Sequence, residues 1–384
     1  MVSAGVRPRT MDRNAVRNRG KEPSMNKIDA LGLTRRSFLK AAGAVGACGA
    51  GLMLGACGSN AQSTGSSDSK DSGSSSKYEP VSVNVAFMPN LGSAGTLFAA
   101  LDQGYFDKFN ITVETKQFDA GPAEIAAMQS GDIDFAQIGH GAHALCIEGQ
   151  AKIFSFEGNS QADCVVANKS HGISTAKDLK GKTIAVASGT SSEVILNYVL
   201  ADAGLTKDDV TLTEMKVDGM TTAMIAGQID ACATWSPNTI TLEEQLGDDY
   251  LVLGTNTDYT DKVAFPSSYV CLPDYADSNM EVLERFGAAL DMGKVYRAEH
   301  IDEVAKLLAD KLGLPQETLL QSTGEGDWQG AADAIGDTDK ILGYYKAQQQ
   351  VFLDNGRIAE AVPVENYVLS EVITEGDKLY KENK

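Results

Sequence analysis

The sequence has few of the residues from which metal, redox and nucleic-acid sites are made. Its 384 residues include four histidines, six cysteines and two tryptophans. The cysteines have no C-x-x-C spacing and the histidines no His-x-Glu or His-x-x-x-His pattern, so we expect neither a metal site nor a cofactor. With 33 Lys and Arg against 52 Asp and Glu, the formal net charge of −19 argues against a nucleic-acid partner.

Catalytic patterns are missing as well. The sequence shows no nucleophile with a plausible base, no phosphate-binding loop and no metal cluster, so we expect no catalytic residues and no enzymatic activity. An enzyme and a signalling sensor remain alternatives to a binding protein. A sensor normally carries a transmembrane segment or a fused output domain, and neither is recognisable in this sequence.

The N-terminal region has no apolar run long enough for a transmembrane helix. The stretch at 41–56 instead fits the apolar core of an export signal, and the arginine pair at 35–36 resembles that of a twin-arginine signal. The four residues 54–57, Leu-Gly-Ala-Cys, resemble the processing site of bacterial lipoproteins. By that resemblance Cys57 would carry the lipid, and Cys48 is the competing candidate.

Residues 58–77 are almost all Ser, Gly, Asp, Asn and Lys. Such a segment buries too little apolar surface to fold, so we expect a flexible tether. A lipid followed by a tether predicts an exported protein anchored at the outer face of the cell membrane. Whether translation starts at Met1 or Met25 stays open.

Apart from the two N-terminal cysteines at 48 and 57, the cysteines all lie in apolar runs. Buried free thiols are the first interpretation. These four are Cys146, Cys164, Cys232 and Cys271. Export also permits a disulfide, for which Cys146 and Cys164 are the pair nearest in sequence.

One pattern of eight residues occurs twice, at 127–134 and at 223–230, each copy containing Gly-x-Ile-Asp. Each copy follows an Asp, Asp119 or Asp218, and runs into a second apolar stretch. The pattern indicates a strand, a helix ended by Gly and another strand. Two such units predict an α/β protein of two similar lobes, each a mostly parallel sheet flanked by helices, with a ligand cleft between them.

The expected layout follows from these segments. A signal occupies 1–56 and a tether 57–78, the first lobe covers 79–170 and the second 171–264, and residues 265–384 return to the first lobe and end in helices.

Three loops rich in glycine and small polar residues follow predicted strands, where helix N-termini meet a ligand in α/β proteins. Their N–H and hydroxyl groups suit an oxyanion. The alternative is that the hydroxyl residues only cap their helices. The candidates are Asn90, Ser93, Gly139, His140, Gly141, Ser188, Gly189, Thr190 and Ser191.

Asp119, Gly121 and Asp218 are further candidates at the strand ends, and Trp235 ends the second copy of the repeat. Two carboxylates without an adjacent Arg or Lys suggest a ligand with an amine, an amidine or a donor-bearing ring. Capping with solvated carboxylates is the alternative. Trp235 would stack on a flat ligand, or pack between the lobes.

Several stretches carry a family resemblance through their order and spacing within 81–275. They are Gln-Gly-Tyr-Phe at 103–106, Gly-Asp-Ile-Asp at 131–134, the segment 178–186, Ala-Gly-Leu at 203–205, and 227–231 followed by Trp235 and Pro237.

The chain resembles the solute receptors of ABC importers with a periplasmic-binding-protein-like fold of type II. It is most similar to the nitrate, sulfonate and taurine group, which overlaps with receptors for thiamine pyrimidine precursors. The resemblance implies a monomer that takes a small solute to a permease and its ATPase. The solute would be an aliphatic sulfonate or related anion, or alternatively a nitrogen-containing heterocycle.

Overall fold

The computed structural model describes residues 77–384. The export signal, Cys57 and nearly all of the tether lie outside these residues. Within the described part, no helix is both long and apolar enough to cross a membrane.

Within residues 77–384, ten strands form two five-stranded sheets. The first sheet contains β1 (Val81–Phe87), β2 (Ile111–Gln117), β3 (Phe135–Ile138), β4 (Lys152–Asn159) and β10 (Pro266–Cys271). The second contains β5 (Asp163–Asn168), β6 (Thr183–Val186), β7 (Thr211–Glu214), β8 (Ala231–Trp235) and β9 (Tyr250–Thr255).

The two sheets have matching topologies. The first has the order β2-β1-β3-β10-β4 and the second β7-β6-β8-β5-β9. In each sheet the fourth strand of this order, β10 or β5, is antiparallel to both of its neighbours, while the other pairings are parallel. This arrangement confirms the predicted α/β fold of two lobes with mostly parallel sheets.

Helices connect and cover the strands. The lobes hold α1 (Leu91–Asp102), α2 (Gly121–Gln129), α3 (His143–Ile147), α4 (Ser191–Asp202), α5 (Val217–Ile225) and α6 (Asn238–Leu246). After β10 the chain is helical, with α7 (Pro273–Glu299), α8 (Ile301–Leu312), α9 (Gln316–Gln321), α10 (Trp328–Asp333), α11 (Thr338–Asp354) and α12 (Ser370–Asn383).

The repeated pattern corresponds to α2–β3 in the first lobe and α5–β8 in the second. Its terminal aspartates have the same role in both copies. Asp134 Oδ2 accepts a hydrogen bond from the Asn84 N–H at 2.8 Å, and Asp230 Oδ2 accepts one from the Thr183 N–H, also at 2.8 Å. The repeated aspartate, one residue before β3 or β8, therefore ties the start of that strand to β1 or β6 and has a structural role.

The chain crosses between the lobes earlier than the sequence suggested. Residues 164–168 were expected in the first lobe, but β5 pairs with β8 and β9 in the second sheet. The prediction failed because β5 is apolar and fully buried, as a first-lobe strand would be. Only its pairing with strands that are distant in the sequence assigns β5 to the second sheet. The crossing therefore lies at 160–162, and the return lies between β9 and β10.

The four cysteines of the described chain, Cys146, Cys164, Cys232 and Cys271, are buried free thiols, the first of the two alternatives. Burial raises the pKa of the Cys232 thiol to about 12, so this side chain stays protonated and behaves as a small apolar group.

A buried ion pair fixes α7 against the first sheet. Arg297 Nη1 lies 2.6 Å from Glu157 Oε1, and both side chains are almost fully buried. Arg297 Nη2 also donates to the Glu157 carbonyl oxygen at 3.1 Å. A guanidinium is costly to bury alone, so the carboxylate of Glu157 is needed to offset the cost of burying Arg297.

We therefore expect Glu157→Gln to lower the free energy of unfolding by about 3–5 kcal/mol, because it leaves the guanidinium buried without a counter-ion. Asp119→Asn is the matched control, since Asp119 pairs with Lys216 at 3.2 Å in an exposed position. That variant should lose less than about 1 kcal/mol. Urea unfolding followed by circular dichroism measures both. Equal stabilities of the two variants would contradict the role given to the buried pair.

Candidate functional site

A cavity of about 760 Å³, its open mouth included, lies between the two sheets. Residues from both lobes and from the C-terminal part line it. Those with polar groups or aromatic rings are Asn90, Ser93, Gln137, His140, Asn159, Ser160, Asp163, Thr190, Ser191, Trp235, Ser236, Ser267, Glu325 and Trp328.

Several helices begin at this cavity, among them α1 of the first lobe and α4 of the second. Asn90 precedes α1 and its Oδ1 accepts from the Ser93 N–H at 2.8 Å, while Ser93 Oγ accepts from the Met88 N–H at 2.9 Å. In the second lobe Thr190 Oγ1 accepts from the Ser192 N–H at 3.2 Å at the start of α4. Asn90 and Thr190 thus cap their helices, and both of them line the cavity together with Ser93. The partial positive charge of both helix N-termini is directed at the same space.

The lobes are joined at the cavity wall by His140 and Asp163. His140 follows β3 in the first lobe, Asp163 begins β5 in the second, and His140 Nε2 lies 3.1 Å from Asp163 Oδ2 with both side chains buried. Ser160 Oγ also donates to Asp163 Oδ2 at 3.0 Å. Burial acts to raise the pKa of Asp163. The charge of His140 and the hydrogen bonds from His140, Ser191 and Ser160 outweigh it and lower that pKa below its ordinary value.

The other ring nitrogen of His140, Nδ1, is buried and has no hydrogen-bond partner in the described chain. A buried polar atom without a partner costs free energy, so a bound molecule that reached it would gain a hydrogen bond there. Because the cavity is lined by His140, a ligand is the natural partner.

Two tryptophans line the cavity, Trp235 at the end of β8 and Trp328 at the start of α10. Trp328 is held in place by its neighbours. Its Nε1 donates to the Thr323 carbonyl oxygen at 2.7 Å, and the Arg297 guanidinium carbon lies 4.3 Å from its ring centroid. The buried ion pair of Arg297 thus supports the aromatic wall of the cavity.

The structure brings together most of the predicted site residues. Those that line the cavity are Asn90, Ser93, Gly121, Gly139, His140, Thr190, Ser191 and Trp235. Sequence reasoning missed Asp163, Gln137, Glu325 and Trp328. The one available signal was that Trp328 is the second of only two tryptophans.

Five predicted residues lie outside the cavity lining. Asp119 is exposed and forms an ion pair with Lys216. The Ser188 hydroxyl donates a hydrogen bond to the Glu214 carboxylate. Asp218 is exposed in the first turn of α5. The expectation that both aspartates face the ligand is therefore not met. Asp119 lies in the loop before α2 and Asp218 in the first turn of α5, and both side chains are exposed to solvent. Gly141 and Gly189, the other two, lie where the lobes approach each other.

At Gly141 the backbones of the two lobes are in close contact. A Cβ atom on it would lie 2.0 Å from the Thr190 carbonyl carbon and 2.5 Å from the Ser191 nitrogen. Nearby, a Cβ on Gly189 would lie 3.7 Å from Pro122 Cγ of the first lobe. Backbone therefore contacts backbone across the cleft, and only glycine at position 141 permits this closed arrangement.

Metal ligands are not grouped in the described chain: among residues 77–384, no three His, Cys, Asp or Glu side chains are placed to hold an ion. None of the residues that line the cavity is a Lys or an Arg.

Two α/β lobes that enclose a cavity at the point where the chain crosses between them define a periplasmic-binding-protein fold. The family model described as NMT1/THI5 like matches residues 92–304, more than half of the chain, and the protein belongs to this family.

Named relatives agree with the fold. The taurine-binding periplasmic protein of Escherichia coli is 27% identical over 247 residues, which cover 60% of this chain and 74% of that protein. A Brucella abortus protein, whose provisional name states binding but no ligand, is 25% identical over 296 residues, or 77% and 92% of the two chains.

Solved structures show the same architecture. The alkanesulfonate-binding protein SsuA of Xanthomonas axonopodis pv. citri, bound to MOPS, superposes with a TM-score of 0.62 at 19% identity and covers 76% of this chain and 98% of its own. The desulfurization enzyme DSZB superposes with a TM-score of 0.57 at 16% identity, over 77% and 98% of the two chains.

Gly141→Ala should keep the lobes apart, because the added methyl group overlaps backbone that no rotamer change can move. We expect a larger radius of gyration in small-angle X-ray scattering. Any solute that the wild type captures should bind at least ~10-fold more weakly, a change of about 1.4 kcal/mol.

The matched control is Gly219→Ala in α5, where a Cβ meets nothing within 4 Å. It should leave both quantities unchanged. A wild-type radius and affinity in Gly141→Ala would show that the two loops do not limit closure.

Proposed function

We propose that this protein is the solute-binding receptor of an ABC importer, which captures a small extracellular solute between its lobes and delivers it to a membrane permease and its ATPase. The observation that carries the proposal is the interlobe cavity, lined from both lobes and closed by the Gly141–Thr190 contact. A ligand held by both lobes stabilises their closed arrangement, and that arrangement offers the permease a surface that the separated lobes lack. We propose that the receptor acts as a monomer.

The relatives named for taurine and alkanesulfonates favour an aliphatic sulfonate or related anion as the solute. In this cavity the N-termini of α1 and α4 would receive the anionic group. A second candidate, a nitrogen-containing heterocycle, is favoured by the two tryptophan rings and by the lack of Lys and Arg among the lining residues.

We propose a binding protein without catalysis, although DSZB shares the fold. A catalytic pair would place a nucleophile at the free nitrogen of a base. In the described chain His140 Nδ1 has no such partner, and His140 Nε2 is taken by Asp163. The four cysteines of the described part are absent from the cavity lining.

A thermal-shift screen of the mature protein tests the proposed function. The panel would contain sulfonates, nitrate, taurine, carboxylates and pyrimidines. A receptor gains about 2.7 kcal/mol of stability at a ligand concentration of about 100 times its dissociation constant, which appears as a higher melting temperature. If no panel member raised the melting temperature, the proposal of a receptor for solutes of these classes would be abandoned.

Trp235→Ala should weaken the binding of the solute found in that screen by about 10-fold or more, because it removes an aromatic wall of the cavity. Asp218→Ala is the control, since Asp218 is exposed and outside the lining. Its affinity should equal that of the wild type. Isothermal titration calorimetry measures both, and equal affinities in the two variants would argue against binding in this cavity.

We also propose that the mature protein is anchored to the outer face of the cell membrane by a lipid on Cys57. Cys57→Ala should therefore move the protein from the membrane fraction to the soluble fraction, since a cleaved protein without acyl chains has no stable anchor. Cys48→Ala, the competing position, should leave it in the membrane fraction. Immunoblots of the two fractions decide, and the reverse pattern would assign the lipid to Cys48.

A further inference from the structure

Glu325 reaches the cavity from a part of the chain outside both sheets. It lies between α9 and α10, on a segment that pairs with the crossing between the lobes. The Gln161 N–H donates to the Glu325 carbonyl oxygen at 2.9 Å, and the Asp327 N–H donates to the Asn159 carbonyl oxygen at 3.1 Å. These hydrogen bonds hold the main chain of Glu325 at the cavity wall.

The carboxyl group of Glu325 has no ion-pair partner among the described residues, unlike the other carboxylate in the lining. Asp163 has His140 as its partner at 3.1 Å, whereas Glu325 forms no ion pair with any described residue. Burial raises the pKa of Glu325 to about 7, with Asp163 adding repulsion and the Ser236 hydroxyl acting in the opposite direction. A cationic or N–H-donating group next to this carboxyl would stabilise its ionised form.

Other lining residues also present acceptors. Gln137 Oε1 and Asn159 Oδ1 are buried without a hydrogen-bond partner in the described chain, and the whole Gln137 residue is only 1% exposed. An anion without N–H or O–H groups could satisfy none of the three acceptors, because it carries only acceptors itself. It would also meet the repulsion of the ionised Glu325.

We propose that Glu325 selects the solute by accepting a hydrogen bond from it, so that this receptor takes amine- or amidine-bearing molecules and rejects sulfonates that have no such donor. The inference rests on the proposed function and narrows its ligand class. An aminosulfonate remains compatible, because its anionic end faces the helix N-termini and its ammonium group faces Glu325.

The aromatic residues support this assignment. Trp328 follows Glu325 by three positions, and Trp235 directly precedes Ser236, whose hydroxyl acts on the Glu325 carboxyl. Both rings line the same cavity as Glu325, so a cationic group bound there shares that space with aromatic faces, which stabilise cations.

The test uses pairs of probes that differ by one amino group. Taurine and ethanesulfonate form one pair, and 4-aminopyrimidine and pyrimidine form the other. Each is titrated by calorimetry into the mature wild-type protein, Glu325→Met and Glu244→Met, because methionine is similar in length to glutamate and has no carboxylate to accept the hydrogen bond. Glu244 is an exposed residue of α6 outside the cavity lining, so it is the matched control for removal of one carboxylate. Melting temperatures and circular dichroism confirm that each variant is folded.

We expect at least one amino-bearing probe to bind the wild type and Glu244→Met at least ~10-fold more tightly than its donor-free partner. In Glu325→Met that preference should fall to less than about threefold. Binding of ethanesulfonate or pyrimidine to the wild type as tightly as its amino-bearing partner would overturn the selection by Glu325 and leave the receptor function standing. An amino preference that persists in Glu325→Met would overturn the role of this residue. If none of the four probes bound the wild type, this proposal would fall, and the thermal-shift panel would still decide the receptor function.

Discussion

The cavity depends on the buried contact between His140 and Asp163. A carboxylate at the start of β5 would be costly to bury alone, and the imidazole that offsets it comes from the other lobe. The pair therefore holds the loop after β3 against the second sheet at the place where the chain crosses. From this point α1 and α4 begin on either side of the cavity, and the backbones of Gly141 and Thr190 meet a short distance along the same loops.

The sequence predicted those features of the fold that depend on neighbouring residues. The repeated eight-residue pattern indicated the helix and strand of each lobe, because a glycine that ends a helix and an apolar run that begins a strand are signals carried by neighbouring residues. The same reasoning placed His140, Thr190 and Trp235 at strand ends, and all three line the cavity. It did not place Asp119 and Asp218, since the direction of a side chain near a helix start depends on how that helix packs against its sheet.

What the sequence could not reveal depends on contacts between distant residues. The assignment of β5 to the second sheet follows from its pairing with β8 and β9, and nothing in its composition distinguishes it from β4. Glu325 and Trp328 reach the cavity through hydrogen bonds with residues 159–161, more than 160 positions earlier in the chain. The most conspicuous repeated residues, Asp134 and Asp230, turned out to bind backbone within the sheets.

Both sheets are complete once β10 ends at Cys271, yet the cavity still lacks one wall. Glu325 and Trp328 supply it from a segment that belongs to neither sheet and is joined to the end of β4 and the crossing by backbone hydrogen bonds. Substitutions at these two positions can therefore change the side chains of this wall while the two sheets, the crossing and the contact between the lobes stay the same. Proteins that share these two sheets are free to diverge in what they carry through changes confined to the last third of the chain.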